Sequence, residues 1–376
     1  MTNSDAELKA LKDMVSRFAR EEVAPRGDLQ NLVVFPPDLH EAMEKQALFG
    51  IGVPRASGGA GGGWLHLAVA AQALVEHGRS LGTALSWLMH VLISRFVILG
   101  FGTDGQKGDC LPSLASGKEI PCLAISEPGV GGHPGKLTTT ARREGGSFVL
   151  SGEKAYLTNG PMATLFVVLA ITAEEGGRKS YTAFLVPGQA RGLERTAPMD
   201  LGFLRPCPHG GIILDGCRVP AEGVIGREGR AYEDIALPFR QVEDVMMTAP
   251  FIGGARAQAG MIARALRERG ADPGRDVASA LGWVAAALES LELLSREGAR
   301  MLDEGGAGHP GLLSLSLYLR QAASDVQERL SAITGLAGLE MGHDYAVLAN
   351  DLVSSMKIAG NVARIRQEKL GRSLCS

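Results

Sequence analysis

Several things are scarce in this 376-residue chain, and each scarcity excludes something. The five cysteines (Cys110, Cys122, Cys207, Cys217 and Cys375) are odd in number, scattered, and contain no CxxC pair. That spacing argues against a disulfide framework or a zinc site, and no metal is expected. Neither sign of charge dominates: 38 Lys and Arg stand against 41 Asp and Glu, a net charge of −3, with no block of like charges. No electrostatic footprint for nucleic acid follows. No 18-residue uncharged apolar run occurs, so no membrane partner is expected. The N-terminus, Met-Thr-Asn-Ser-Asp, is polar and unlike a signal peptide, and the expectation is a soluble cytoplasmic protein. GxSxG and HExxH motifs are absent. His133 and His209 lie among Pro and Gly without a carboxylate or Cys cluster, and read as surface histidines.

Glycine is abundant: 50 of 376 residues, about 13% against the roughly 7% usual in proteins. There is no Gly-X-Y period, which excludes collagen, and 45% hydrophobic residues can bury a core.

The chain reads as three parts. Residues 1–119 carry apolar positions at helical spacing, with helices predicted over 5–24, 37–48, 65–77 and 80–99 around a Gly-rich loop at 57–63. Residues 120–222 break into short apolar or alternating runs, at 121–126, 137–142, 147–150, 155–158, 165–171, 182–186 and 211–214. Turn residues separate them, Ser151-Gly152 and Asp215-Gly216 included, and the pattern predicts a β-sandwich or barrel. Residues 223–376 hold four long helical windows, 231–268, 276–303, 311–341 and 344–371, as in an antiparallel four-helix bundle. The fold class expected is α+β: helical domain, β-domain, helical bundle. Gly-Ala-Gly-His-Pro-Gly at 306–311 matches GxGxxG by letter, but no strand precedes it, so it reads as a bundle loop.

Chemistry concentrates between residues 123 and 160. A short strand delivers Ile125 and Ser126 into a loop holding Gly129, Gly131 and Gly132. Its backbone N–H groups can approach a polar ring edge or an anion closely, because glycine has no Cβ. About twenty-five residues on, Tyr156 and Thr158 alternate on a second strand and share a face. An aromatic beside a hydroxyl suits a flat ring with polar edges; a hairpin with Tyr156 turned into the core accounts for the same letters.

The segments Ser126-Glu-Pro-Gly-Val-Gly-Gly-His133 and Leu150-Ser-Gly-Glu-Lys-Ala-Tyr-Leu-Thr-Asn-Gly160 resemble the T-E-P-x-A-G-S-D and L-x-G-x-K-x-W-I-T-N-G motifs of the acyl-CoA dehydrogenase family. Gly202, Arg218-Val-Pro220, Gly226, Gly229 and the opening Phe18-Ala-Arg-Glu-Glu-Val-Ala-Pro25 also resemble that family, to about residue 270. The resemblance implies the same three-part fold, usually as a tetramer, and FAD with its isoalloxazine against the two motifs. It makes Ile125, Ser126, Gly131, Gly132, Tyr156 and Thr158 the cofactor-binding candidates. It also implies an acyl thioester substrate, a carboxylate that removes the α-proton while the β-hydride goes to flavin, and an electron-transferring flavoprotein as the usual acceptor.

The chain departs from the family at functional positions. The usual C-terminal Glu falls on Ala359, which cannot accept a proton. A branch of the family places its base on the first long C-terminal helix, and there Glu243 is the candidate, with Asp244 beside it. Asp244 or Val245 replaces an Arg that helps hold a CoA-linked substrate. In the R-x-x-F-G motif that grips the dinucleotide, Arg269 survives but Phe-Gly has become Asp272-Pro273. A Gln-x-x-Gly-Gly motif has become Ala332-Ile-Thr-Gly335-Leu336. The favoured reading is an FAD-dependent dehydrogenase of CoA- or carrier-linked acyl thioesters. The alternatives are a degenerate subunit completed by another acyl-CoA dehydrogenase chain in a mixed oligomer, and a flavin monooxygenase-like relative of the same fold.

Overall fold

A computed structural model describes residues 3–270, 272–358 and 360–375. Helices come first: α1 (Asn3–Phe18), α2 (Pro37–Lys45), α3 (Trp64–Gly78), α4 (Leu81–Leu92) and α5 (Asp104–Ser116). Eight strands follow: β1 (Pro121–Ala124), β2 (Thr140–Glu144), β3 (Ser147–Thr158), β4 (Leu165–Glu175), β5 (Arg178–Pro187), β6 (Leu193–Arg195), β7 (His209–Pro220) and β8 (Val224–Ile225). The chain closes with α6 (Leu237–Met246), α7 (Thr248–Arg269), α8 (Arg275–Gly305), α9 (Leu312–Leu336), α10 (His343–Lys357) and α11 (Gly360–Ser373). Helices, sheet, then helices is the architecture expected from the sequence. The chain forms two compact units: Met1–Gly27 with Trp64–Ala84 and Asp244–Ser376, and Asp28–Gly63 with Leu85–Glu243.

The second unit carries the sheet, in the order β6-β7-β3-β2-β4-β5-β8, with β1 added parallel to β4. Its core sets Phe148 and Leu150 of β3 against Phe166, Phe184, Ile212 and Leu214, with the Phe148 and Phe184 rings edge-on at 4.9 Å. The runs 147–150 and 155–158 belong to one strand, and 211–214 is the middle of the longer β7. The expected turns at Ser151-Gly152 and Asp215-Gly216 are instead one shared irregularity, where the β3–β7 register shifts between Leu150 and Gly152. Gly152 is there for close approach: a Cβ on it would lie 2.6 Å from the Thr139 hydroxyl oxygen. Helix α5 has no counterpart among the sequence expectations, because Gly105, Gly108 and Pro112 argue against it. A capping box (Thr103 with Gln106) and burial of Leu111 and Leu114 outweigh them.

In the first unit α3 is buried almost all round. It lies so close to α7 that a Cβ on Gly253 would be 2.3 Å from the Gln72 carbonyl oxygen. Ile252 and Ile262 of α7 pack with Val284, Leu288 and Leu291 of α8 and with Leu319, Val326, Leu330 and Ile333 of α9. Gln72 donates to Glu292 at 2.9 Å, and Arg256 pairs with the same carboxylate at 2.8 Å. The 306–311 segment is a loop between α8 and α9, opened by one 3₁₀ turn. The first and last predicted windows each contain two helices, divided near Met247 and after Lys357. Two stretches, Leu81–Leu99 and Arg275–Gly308, are long and apolar enough to cross a membrane by composition; the first is 89% buried within the protein.

Candidate active site

The site is built on the sheet unit. β1 is buried and locked to β4 by the pairs from Pro121↔Leu165 to Ala124↔Val168, so it delivers Ile125 and Ser126 from a fixed point. The chain then turns back on itself. Glu127 N donates to the Gly131 carbonyl and Gly131 N to the Glu127 carbonyl, each at 3.0 Å. That turn puts Gly129 and Gly131 at φ +71° and +58°, the left-handed region that glycine enters without penalty. A Cβ at either would touch nothing, and one at Gly132 would face Ile125 at 3.6 Å and the Ser126 hydroxyl at 3.9 Å. The outer side of the loop is therefore an open notch.

β3 closes on this loop. Ala155 N donates to the Ser126 carbonyl at 2.9 Å, which brings the two recognised motifs together. Beneath the junction is a buried ion pair absent from the sequence expectations. Lys154 Nζ lies 3.0 Å from both Glu127 Oε1 and the Ile125 carbonyl, with side-chain exposures of 0% for Lys154 and 4% for Glu127. The Glu127 carboxylate also accepts from Thr138 N at 2.7 Å, the Thr138 hydroxyl at 2.8 Å and Thr139 N at 2.9 Å. Burial alone would raise the Glu127 pKa; Thr139, Lys154 and the amides outweigh it and hold it at about 2. Burial pulls Lys154 down to about 8 against the opposing carboxylate. One signal could have found the pair. Lys154 keeps the even-numbered core parity of Phe148 and Leu150, and a charge on a core face needs a partner.

Immediately after Lys154 the β3–β7 register shifts again, between Lys154 and Leu157. Tyr156 sits in that bulge at φ +61° and is 52% exposed, so it is not the core tyrosine of the alternative reading. A non-glycine residue held left-handed costs on the order of 1–2 kcal/mol, and bulges of this kind re-aim side chains. Leu157, next along, is buried, and Thr158 is half-buried. Asn159, at φ +63°, exchanges hydrogen bonds with Ser86 of α4, 2.7 Å to its hydroxyl and 2.8 Å from its carbonyl. These anchors fix the end of the strand. His209 is not a surface histidine: it is buried, pairs across the ladder with Thr158, and shares a 3.2 Å hydrogen bond with that hydroxyl. The Pro-His-Gly-Gly composition disguises the start of a buried strand. Among the described residues no group of three His, Cys, Asp or Glu side chains could hold a metal ion.

An open notch of glycine backbone, an exposed tyrosine in a strained bulge and a half-buried hydroxyl fit one end of a planar ring with polar edges. The dinucleotide side differs. Arg269 donates to the Ala337 carbonyl at 2.6 Å and to the Gly338 carbonyl, closing the C-terminal end of α9. Asp272 accepts from Gly274 N at 3.0 Å, within its own turn. On α6, Phe239 and Val242 are buried, with the Phe239 ring 5.8 Å from Phe96, and Glu243 is half-buried beside them. Asp244, next along, pairs with Arg366 of α11. Ala359 lies outside the described residues.

Along the chain, helices are followed by a mixed sheet and then by helices again. Residues 5–118 match the model of the acyl-CoA dehydrogenase N-terminal domain, and residues 122–217 that of its middle domain. An acyl-CoA dehydrogenase of Bacillus subtilis is 32% identical over 248 residues, 66% of this chain and 65% of that protein, just under two thirds of its length. The L-prolyl-[peptidyl-carrier protein] dehydrogenase of Pseudomonas fluorescens is 30% identical over 321 residues, covering 84% of this chain and 83% of that protein. The solved structure of butyryl-CoA dehydrogenase from Megasphaera elsdenii superposes with a TM-score of 0.86 over 98% of both chains at 20% identity, a likeness of fold. The chain belongs to the acyl-CoA dehydrogenase family.

Proposed function

We propose that this chain is an FAD-dependent dehydrogenase of acyl thioesters, carried on CoA or on a carrier protein, with Glu243 as the base. The observation that carries the proposal is the Ser126–Ala155 junction, which sets the open Gly131–Gly132 notch beside exposed Tyr156 and half-buried Thr158. Ile125, Ser126, Gly131, Gly132, Tyr156 and Thr158 would hold the ring, while Arg269 would reach a diphosphate only by giving up its contacts at the end of α9. FAD, when bound, supplies the acceptor for the β-hydride. The α-proton of a thioester is only weakly acidic, so its base must be close and partly desolvated, as half-buried Glu243 is. Neighbours on a helix diverge by about 100°, so Glu243 points away from Asp244, which pairs with Arg366. An electron-transferring flavoprotein would take the electrons onward. Exposed Trp283 and Leu293 on α8 and Tyr318 on α9 support a homotetramer or a mixed oligomer.

The test is the visible spectrum of the purified chain, then anaerobic titration with acyl-CoA and acyl-carrier thioesters. The proposal expects a yellow protein that one of them bleaches, and loss of bleaching by a factor of about 10²–10⁴ in rate in Glu243→Gln. A colourless chain that takes up no FAD refutes it. The degenerate-subunit reading has its own support, since Arg269 closes α9 and an acid, Asp272, stands where the motif has Phe. A colourless chain that turns yellow only with a second dehydrogenase chain would favour that reading.

A further inference from the structure

Helix α11 is joined to the rest of its unit along one narrow stripe. Ala363, Arg366 and Leu370 are half-buried, and every other described side chain between Val362 and Arg372 is exposed. Those three fall within an arc of about 60°, at about 100° per residue. Arg366 pairs with Asp244, the residue after Glu243, so the stripe is tied to the helix of the proposed base. Arg320 of α9 fixes the end of α10 just before it, donating to the Met356 and Ile358 carbonyls. A neighbouring face of α11, about 80° wide, is exposed. It carries Val362 and Ile365 in its first turn, 38% and 57% exposed, and Lys369 and Arg372 beyond them. Arg364, farther round, is answered by Glu368 at 2.5 Å. From Lys357 to Arg372 five cations stand against that one carboxylate, in a chain whose net charge is −3.

We infer that the Val362–Ile365–Lys369–Arg372 face of α11 is the docking surface for an acidic carrier protein that brings in the acyl thioester. The inference rests on the thioester reading above and chooses a carrier over CoA. Two apolar side chains beside two cations, spread over about 15 Å of helix, suit a protein surface with acids around an apolar centre. A free diphosphate has no use for Val362 and Ile365. A lipid surface needs a longer apolar face than one turn. A second copy that met this face with its own would set like charges together.

The test uses the full chain and a purified acidic acyl carrier protein bearing a short acyl thioester. Fluorescence anisotropy of the dye-labelled carrier reads binding without any flavin chemistry. The wild-type chain should bind, and more weakly as salt rises. Reversing both cations, Lys369→Glu with Arg372→Glu, should weaken binding about tenfold. The same variant should raise KM for the acyl carrier about tenfold. Its kcat, and its KM for the acyl pantetheine without a carrier, should not change. Lys369→Gln with Arg372→Gln should fall between, with an unaltered midpoint of urea unfolding. A carrier that fails to bind, or that binds the reversed variant equally well, overturns the inference. So does an equal rise in KM for acyl pantetheine. Binding to phosphatidylserine vesicles that the reversal abolishes would give the face to a membrane, and a dimer that the reversal dissociates would give it to a second copy; either overturns the inference too. If no thioester bleaches the flavin, the proposed function fails, and anisotropy still decides the docking.

Discussion

Replacing Lys154 with Met removes one charge from a buried pair and keeps the length and apolar stem of the side chain. The Lys154 ammonium is fully buried and bridges two ends of one loop, 3.0 Å from the Ile125 carbonyl and 3.0 Å from Glu127. Glu127 in turn holds the backbone at Thr138 and Thr139. Breaking a buried pair from one side typically costs about 3–5 kcal/mol, because the remaining charge is left uncompensated. Here the carboxylate keeps three donors from Thr138 and Thr139, so the cost expected is near the lower end, about 3 kcal/mol. The assay is urea unfolding of Lys154→Met, Glu127→Gln and the double variant, with amide exchange followed across residues 125–139. The double variant leaves no orphaned charge and should recover about 2 kcal/mol relative to the sum of the singles. Exchange should accelerate in the 125–139 loop before the rest of the sheet. A loss below about 1 kcal/mol in Lys154→Met, or strict additivity in the double variant, would refute the account of this pair as the clamp that shapes the notch.

The same carboxylate predicts an acid limb. Its folded pKa of about 2 lies below the ordinary 4.5, so its stabilisation is complete above about pH 4.5 and is lost as pH falls toward 2; Glu127→Gln should flatten that part of a stability–pH curve. Tyr156→Gly should relieve the left-handed bulge and raise stability by about 1 kcal/mol in thermal unfolding. The same variant should weaken FAD uptake at least about tenfold if the exposed ring is a stacking surface; unaltered uptake would remove Tyr156 from the site. Riboflavin should bind the isolated chain within about tenfold of FAD, measured by fluorescence quenching, because Arg269 is engaged at α9. An advantage for FAD of about a thousandfold would show that the diphosphate is gripped after all.

The fold was legible where periodicity is long and the site where motifs are contiguous. Helical windows of more than twenty residues and the run 165–171 mark real elements, because one apolar face repeats often enough to outweigh local noise. Glycine was the main source of error. At 151–152 and 215–216 it resembles punctuation, yet Gly152 serves close approach to Thr139 inside a continuous strand. In 104–116 glycine and proline hid a helix that capping and burial stabilise. Ser126, Tyr156 and Thr158 could be singled out from their spacing, but the contacts that aim them are tertiary. The Ala155–Ser126 hydrogen bond, the Lys154–Glu127 pair and the Thr158–His209 pair join residues 27 to 51 positions apart.

The two halves of a dinucleotide make different demands on this chain, and its side chains answer them unequally. The ring end needs backbone without Cβ atoms, and in the sheet unit the loop of Gly131 and Gly132 lies beside the buried Lys154–Glu127 pair and Thr158 beside buried His209. The diphosphate end needs free cations. Arg269 retains the family letter, yet two of its donors close the end of α9. Asp244, standing near an expected arginine, has captured Arg366 instead. A charged group already satisfied inside the protein can serve a ligand only by surrendering that contact, which subtracts from whatever the ligand contributes. Retaining a motif residue therefore does not amount to retaining its use. In this chain the Gly131–Gly132 notch is kept by packing, while charges of the C-terminal helices hold helix ends and neighbouring helices together.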